Sequence, residues 1–199
     1  MKEFVKKKAV IVKDRLGLPN YMTMFYMEPG TYNPEDVPEM FKIRNKIVPA
    51  ILISQYHNTV IDTLDGGVAV SLPFQQPKHT INMNDAAKAC ARKGKGWHLM
   101  TNTEFVYLLH EAEELGHTIG GNTNYGANAD NELEEAVPFR GSSFYDTSGG
   151  GAGALPLSSA RSLVYHNVSL RSALFLESWE LVTDLLKAGA EAHAGAQDE

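Results

Sequence analysis

The stretch KGKGWHLMTNTEFVYLL, residues 93–109, sets a glycine stop, an aromatic residue and a helix start in close succession, and the fold turns on how those three are read. Upstream, NMNDAAKACARKG at 82–94 carries Met83, Ala86, Ala87 and Cys90 at the i, i+3, i+4, i+7 spacing of one helical face, with Asn82 or Asn84 placed to cap it. Gly94 supplies the left-handed position that ends such a helix. Trp97, His98 and Leu99 make a short extended piece. Thr101 and Glu104 then stand at the spacing of a capping box, in which two side chains satisfy each other's free backbone amides. A second helix follows, with Phe105, Leu108, Leu109 and Ala112 facing inward, Glu111, Glu113 and Glu114 facing out, and Gly116 as its stop. Two short helices are therefore expected to flank one link, with Trp97 in the core between them and a sheet.

At 199 residues and 43% hydrophobic content, the chain has room for one globular domain with or without an appendage. IVPAILI at 47–53 is broken by proline and far too short to cross a bilayer, and MKEFVKKKAV at 1–10 lacks the apolar run and cleavage site of a signal peptide. Neither membrane insertion nor signal-directed export is expected. A net charge of −6 argues against a nucleic-acid-binding face, and the locally basic start, with Lys2, Lys6, Lys7, Lys8, Lys13 and Arg15, reads as a solvated arm. Cys90 is the one cysteine of this sequence, so an internal disulfide and a four-cysteine zinc site are both excluded, and its place on the helix face makes it a small core residue rather than a nucleophile.

Three stretches differ in texture. Residues 1–40 read as an N-terminal arm and linker: one alternating strand candidate, KAVIVK, then EPGTYNPEDVPE, whose Pro29, Pro34 and Pro38 exclude a regular element. Residues 41–189 read as the domain proper, with strands in MFKIRNKI and AILISQYHNTVI, a turn and strand in DGGVAVSLPF, and then the two helices. Within it, GSSFYDTSGGGAGALPLSS marks a glycine-rich loop at 141–159. Leu181, Val182, Leu185 and Leu186 suit a last helix stopped near Gly189, and residues 190–199 read as a disordered tail.

The order AILISQYHNTVID, AVSLPFQQPKHTINMNDAAKACARKGKGWHLMTNTEF, GGNTNYG resembles the formylglycine-generating-enzyme-like (sulfatase-modifying-factor) branch of the C-type lectin fold. The residues that carry the resemblance are Asp85, Ala86, Cys90, Gly96, Trp97, Leu99, Thr101, Asn102, Glu104 and Phe105, and it covers about residues 41–130. In wording it is most similar to the lectin-like proteins of phages and prophages, tail-associated receptor binders and retroelement-diversified variable proteins. It implies an α+β C-type lectin-like fold: two short helices packed on a small, mostly antiparallel sheet, with long irregular loops. ESWELVTDLLKAG at 177–189 keeps Trp179, Glu180, Val182 and Thr183 in an order similar to the family's C-terminal strand, preceded by ARSLVYHN at 160–167, as a diverged or shortened version of that end.

The departures bear on activity. The oxidase branch of the family resembled holds copper with a pair of closely spaced cysteines, which Cys90 alone does not supply. The iron-dependent sulfoxide synthases need an H-x-x-x-H-x-E cluster, and none of His57, His79, His98, His110, His117, His166 and His193 has that spacing. His110-Glu111 begins like a helical zinc motif, but position 114 is Glu rather than His, so His110 and His117 read as surface histidines. GGNTNYGANADNELEE at 120–135 offers Asn122, Asn124, Asp130, Asn131 and Glu132 as oxygen donors; it reads as a solvated loop, with calcium as the sharper alternative. GGG at 149–151 belongs to no phosphate-binding motif.

These readings converge on a non-enzymatic, tail- or fibre-associated phage or prophage virion protein. It would bind a host-surface protein or glycan, or another virion structural protein, as a homo-oligomer without cofactor and without nucleic acid. The alternatives are a metal-dependent oxidase of the formylglycine-generating type with relocated ligands, and a purely architectural virion subunit. The expected ligand-binding residues are Asn122, Asn124, Tyr125, Asn128, Arg140, Phe144 and Tyr145, whose amides and aromatic faces suit a sugar or protein surface.

Overall fold

A computed structural model describes residues 2–117, 161–162, 164 and 169–194. Within these, the chain is mixed α+β: five strands make one antiparallel sheet, and three α-helices pack around it.

The sheet begins where an arm was expected. β1 (Val5–Lys13) and β2 (Pro19–Met27) form a hairpin in register from Val5↔Met27 to Lys13↔Pro19. Asp14 closes it, its Oδ1 accepting from the amides of Leu16 (2.9 Å) and Leu18 (3.0 Å). β2 then pairs with β5 (Ala50–Ser54), and Val5, Val10, Met22, Met24, Phe25 and Met27 are all buried. The strand expected in KAVIVK is the second half of β1, while the arm reading is corrected for residues 5–27, which are part of the sheet. NYMTMFYM is covered on both faces, so it shows no polar alternation, and the lysines of β1 are engaged at its rims: Lys6 with Glu28 and Lys7 with Glu111.

The proline-bearing segment that follows makes two single-turn 3-10 helices, Pro34–Asp36 and Glu39–Phe41, which bring Val37, Met40 and Phe41 into the core. MFKIRNKI is not one strand. It folds back on itself as β3 (Lys42–Ile43) and β4 (Lys46–Ile47), because Arg44 and Asn45 both take positive φ, +49° and +63°, as a two-residue hairpin turn requires. AILISQYHNTVI likewise divides into β5 and β6 (Thr59–Ile61), the latter paired with β7 (Val68–Val70).

The junction forms as its sequence indicates. α1 (Met83–Ala91) is capped by Asn82, whose side chain accepts from the Asp85 amide at 2.9 Å. Its buried face is Ala86, Ala89 and Cys90, rotated slightly from the expected one. After Gly94 (φ +126°), Gly96 (φ +84°) admits no side chain, since a Cβ there would lie 2.7 Å from the main-chain oxygen of Phe175. β8 (Trp97–Leu99) then joins the sheet, and α2 (Asn102–Glu114) starts with the full Thr101–Glu104 capping box. Glu111 departs from the expected outer face: it is buried and ion-paired with Lys7.

RSALFL, unmarked in the sequence reading, supplies the strand that joins the two halves of the sheet. β9 (Ser172–Leu176) lies between β5 and β8, giving the order β1-β2-β5-β9-β8. The stretch similar to the family's C-terminal strand is a helix instead, α3 (Trp179–Ala194). It runs through Gly189, because a single interior glycine costs only about 1 kcal/mol and AEAHA beyond it favours helix. Residues 190–194 of the expected disordered tail are therefore helical, and the rest of that tail lies outside the described residues.

The two faces of the sheet carry separate cores. Phe25, Ile51, Ile53 and Ala173 meet α2 and the 3-10 segment, with Tyr107 set edge-on to Phe25 and Phe41. On the opposite face, Met22, Met24, Leu52, Leu174 and Trp97 meet α3 through Val182. Trp97 is buried as expected, but against the sheet in the α3-covered cluster rather than between α1 and α2. β8 alternates, so Trp97 and His98 must point to opposite faces. Among the described residues, no helix is long and apolar enough to cross a membrane.

Candidate functional site

The seven expected ligand-binding residues, Asn122, Asn124, Tyr125, Asn128, Arg140, Phe144 and Tyr145, lie outside the described residues, as do the loop at 120–135 and the glycine-rich loop. The described framework carries three places where polar chemistry is concentrated.

The first is a buried lysine. Lys93 stands one residue past the Arg92 C-cap of α1, where a lysine ordinarily reaches solvent, yet it is fully buried with Ser54, Asn58 and Ser172. Its Nζ donates to Ser172 Oγ at 2.8 Å and sits 3.6 Å from the centroid of the Trp97 ring, a cation–π geometry. Ser172 Oγ lies 2.9 Å from Ser54 Oγ, and Asn58 ties the node to the main chain by accepting from the Ser172 amide at 2.5 Å. Burial pushes the Lys93 ammonium from its ordinary 10.5 down to about 7, against the pull of Cys90 and Asp14. Burial also pushes the Cys90 thiol up to about 12, so Cys90 bears on Lys93 only at high pH.

A neutral amine within hydrogen-bond reach of a serine is the geometry of a general base and its nucleophile. Here Ser172, Ser54 and Lys93 are at most 1% exposed, so a substrate carbonyl has no route to the hydroxyl. What the node does is join β5, β9, β8 and the end of α1. Sequence reasoning missed Lys93 because its acceptor, Ser172, and the Ser54 and Asn58 groups that hold Ser172 are distant in sequence.

A pH dependence follows. Between about 7 and 10.5 the unfolded chain holds a proton on Lys93 that the folded chain does not, so stability should rise with pH across that window, by up to about 1.4 kcal/mol per unit. Lys93→Met removes the buried amine while Ser54 still partners Ser172. Urea unfolding at pH 6 and pH 9 should show the wild type gaining stability with pH relative to the variant, and the variant the more stable of the two at pH 6. Parallel pH profiles for the two proteins would place the Lys93 charge in solvent.

The second place is the His98–Glu104 pair under the start of α2. Glu104 is 1% exposed, and its Oε2 accepts from the Thr101 amide (2.7 Å) and hydroxyl (2.9 Å) while Oε1 meets His98 Nε2 at 2.8 Å. His98 Nδ1 lies 2.9 Å from the Gly96 oxygen. Burial would lower the His98 pKa, but the Glu104 hydrogen bond and charge, with the Gly96 carbonyl, outweigh it and hold the imidazole above its usual 6.5. One carboxylate thus caps a helix and orients a ring, with no atom left for a substrate.

The third is an open groove of about 410 Å³ between the sheet and the C-terminal half of α2. Phe25, Ile53 and Leu108 line it, and Lys7, Gln55, Glu111, His117 and Arg171 supply its polar groups. Arg171 is half-buried and donates from Nη1 to the main-chain oxygens of Ser54 (2.6 Å) and Gln55 (3.2 Å).

Among the described residues, no group of three or more His, Cys, Asp or Glu side chains is placed to hold a metal ion. His110 and His117 are both exposed, as surface histidines. No model of a known protein family matches the chain, and a search of curated proteins finds no match.

Proposed function

We propose that the chain is a binding module on a C-type lectin-like scaffold of the formylglycine-generating-enzyme-like kind, serving as a phage or prophage virion protein that recognises a host-surface ligand or another structural protein. One observation carries the reading. The groups best suited to chemistry, Lys93, Ser172, Cys90 and Glu104, are all turned into the framework and engaged there, so the described part of the chain is built to hold its shape. The expected ligand-binding residues belong to the stretch of sequence between α2 and β9, and the framework fixes what flanks it: α2 on one side, and on the other Leu170, buried against α1.

Tyr125→Ala combined with Tyr145→Ala should abolish attachment to host cells or to the virion partner while moving the melting temperature by no more than a few degrees, as surface substitutions do. Normal attachment by the double variant, or loss only through unfolding, would remove that stretch of sequence as the recognition surface. Stoichiometric copper or iron in the purified protein would favour the oxidase reading instead.

A further inference from the structure

The groove beside α2 holds a charge that the described framework does not balance. Glu111, the one carboxylate among its described lining residues, is taken by Lys7 at 2.5 Å. Among the described residues Arg171 has only neutral carbonyl acceptors, both on Nη1; there no carboxylate pairs with it and no group accepts from its Nε or Nη2. Burial presses against its charge, lowering its pKa from 12.5, and that charge in turn helps lower the pKa of His57, after burial of the ring itself. A cation half removed from water without a counter-ion is costly, and an anion bound beside it recovers that cost.

The rest of the groove narrows the class of anion. Two unused guanidinium donors present the planar fork that matches a carboxylate. A doubly charged phosphate is disfavoured, because Glu111 and the negative end of the α2 dipole share the site. The accessible apolar surface between these groups comes from Leu108, Ala112 and Leu115 at the end of α2, with Phe25 and Ile53 buried behind it in the sheet. A volume of about 410 Å³ falls in the range of small-ligand sites, roughly 300–1,000 Å³. We propose that this groove binds a small amphipathic carboxylate, with its acid group on Arg171 and its apolar body along Leu108, Ala112 and Leu115 of the α2 end. The site does not depend on the recognition reading above and would exist beside it.

Octanoate is a suitable probe, with octanol as the uncharged control, each titrated into the full chain and followed by calorimetry. Octanoate should bind saturably and at least about tenfold more tightly than octanol, and Arg171→Gln should remove that preference. Because Arg171 also holds the Ser54 and Gln55 carbonyls, a second variant, Ala112→Phe, fills the groove and leaves the guanidinium in place; it should weaken octanoate by a similar factor. Equal binding of acid and alcohol, an unchanged affinity in folded Arg171→Gln or in Ala112→Phe, or no saturable binding by the wild type would each overturn the assignment.

Discussion

Replacing Glu104 by alanine should lower the unfolding free energy by about 3–5 kcal/mol, the range for removing one member of a buried, hydrogen-bonded charge pair. The substitution strips the Thr101 amide and hydroxyl of their acceptor and leaves His98 without its carboxylate, all at a side chain 1% exposed. The deficit should depend on pH with a definite sign. His98 titrates above its usual 6.5 in the folded chain, so the stabilisation from its charged form is full below 6.5 and is lost as pH rises through the folded value. Glu104→Ala should therefore lie further below the wild type at pH 6 than at pH 8 in urea unfolding. A loss under about 1 kcal/mol at both would mean that the capping box contributes no more than an exposed helix cap.

Trp97→Ala should cost about 3–5 kcal/mol, as expected when a large aromatic side chain is emptied from a core. Trp97 packs with Met22, Met24, Leu52, Leu174 and Val182, so the cavity would open under the helix that closes this face of the sheet. The ring also carries the buried Lys93 amine on its π-face, and that contact disappears with it. A loss below about 1 kcal/mol would assign Trp97 to a surface role and separate it from the framework.

The junction was legible because every signal in it is local. Asn82, Gly94, Thr101 and Glu104 act within a turn or two of themselves, so spacing alone reveals the caps that the fold then forms. Of the β1–β2 hairpin only KAVIVK, the second half of β1, was legible; its first half is hidden by lysines whose ammonium groups reach the rim, and β2 by being methionine-rich and covered on both faces. β9 escaped for a similar reason: SALFL is short, nearly all apolar and buried, and its place next to β5 depends on pairings across more than a hundred residues. The same holds for the polar sites. Glu104 could be found from its cap, whereas Lys93 and Arg171 look like ordinary surface cations until the sheet brings Ser172, Ser54 and Gln55 to them.

The proposed binding function requires the Lys93–Ser172 pair to hold the framework and perform no reaction. A fluorophosphonate, which forms a stable adduct on a serine activated by a neighbouring base, tests this directly when followed by mass spectrometry of the intact and digested protein. The folded wild type should take no adduct at Ser172 or Ser54. An adduct at Ser172 that forms in the folded wild type and is absent in folded Lys93→Met would contradict the claim and make the pair a catalytic one.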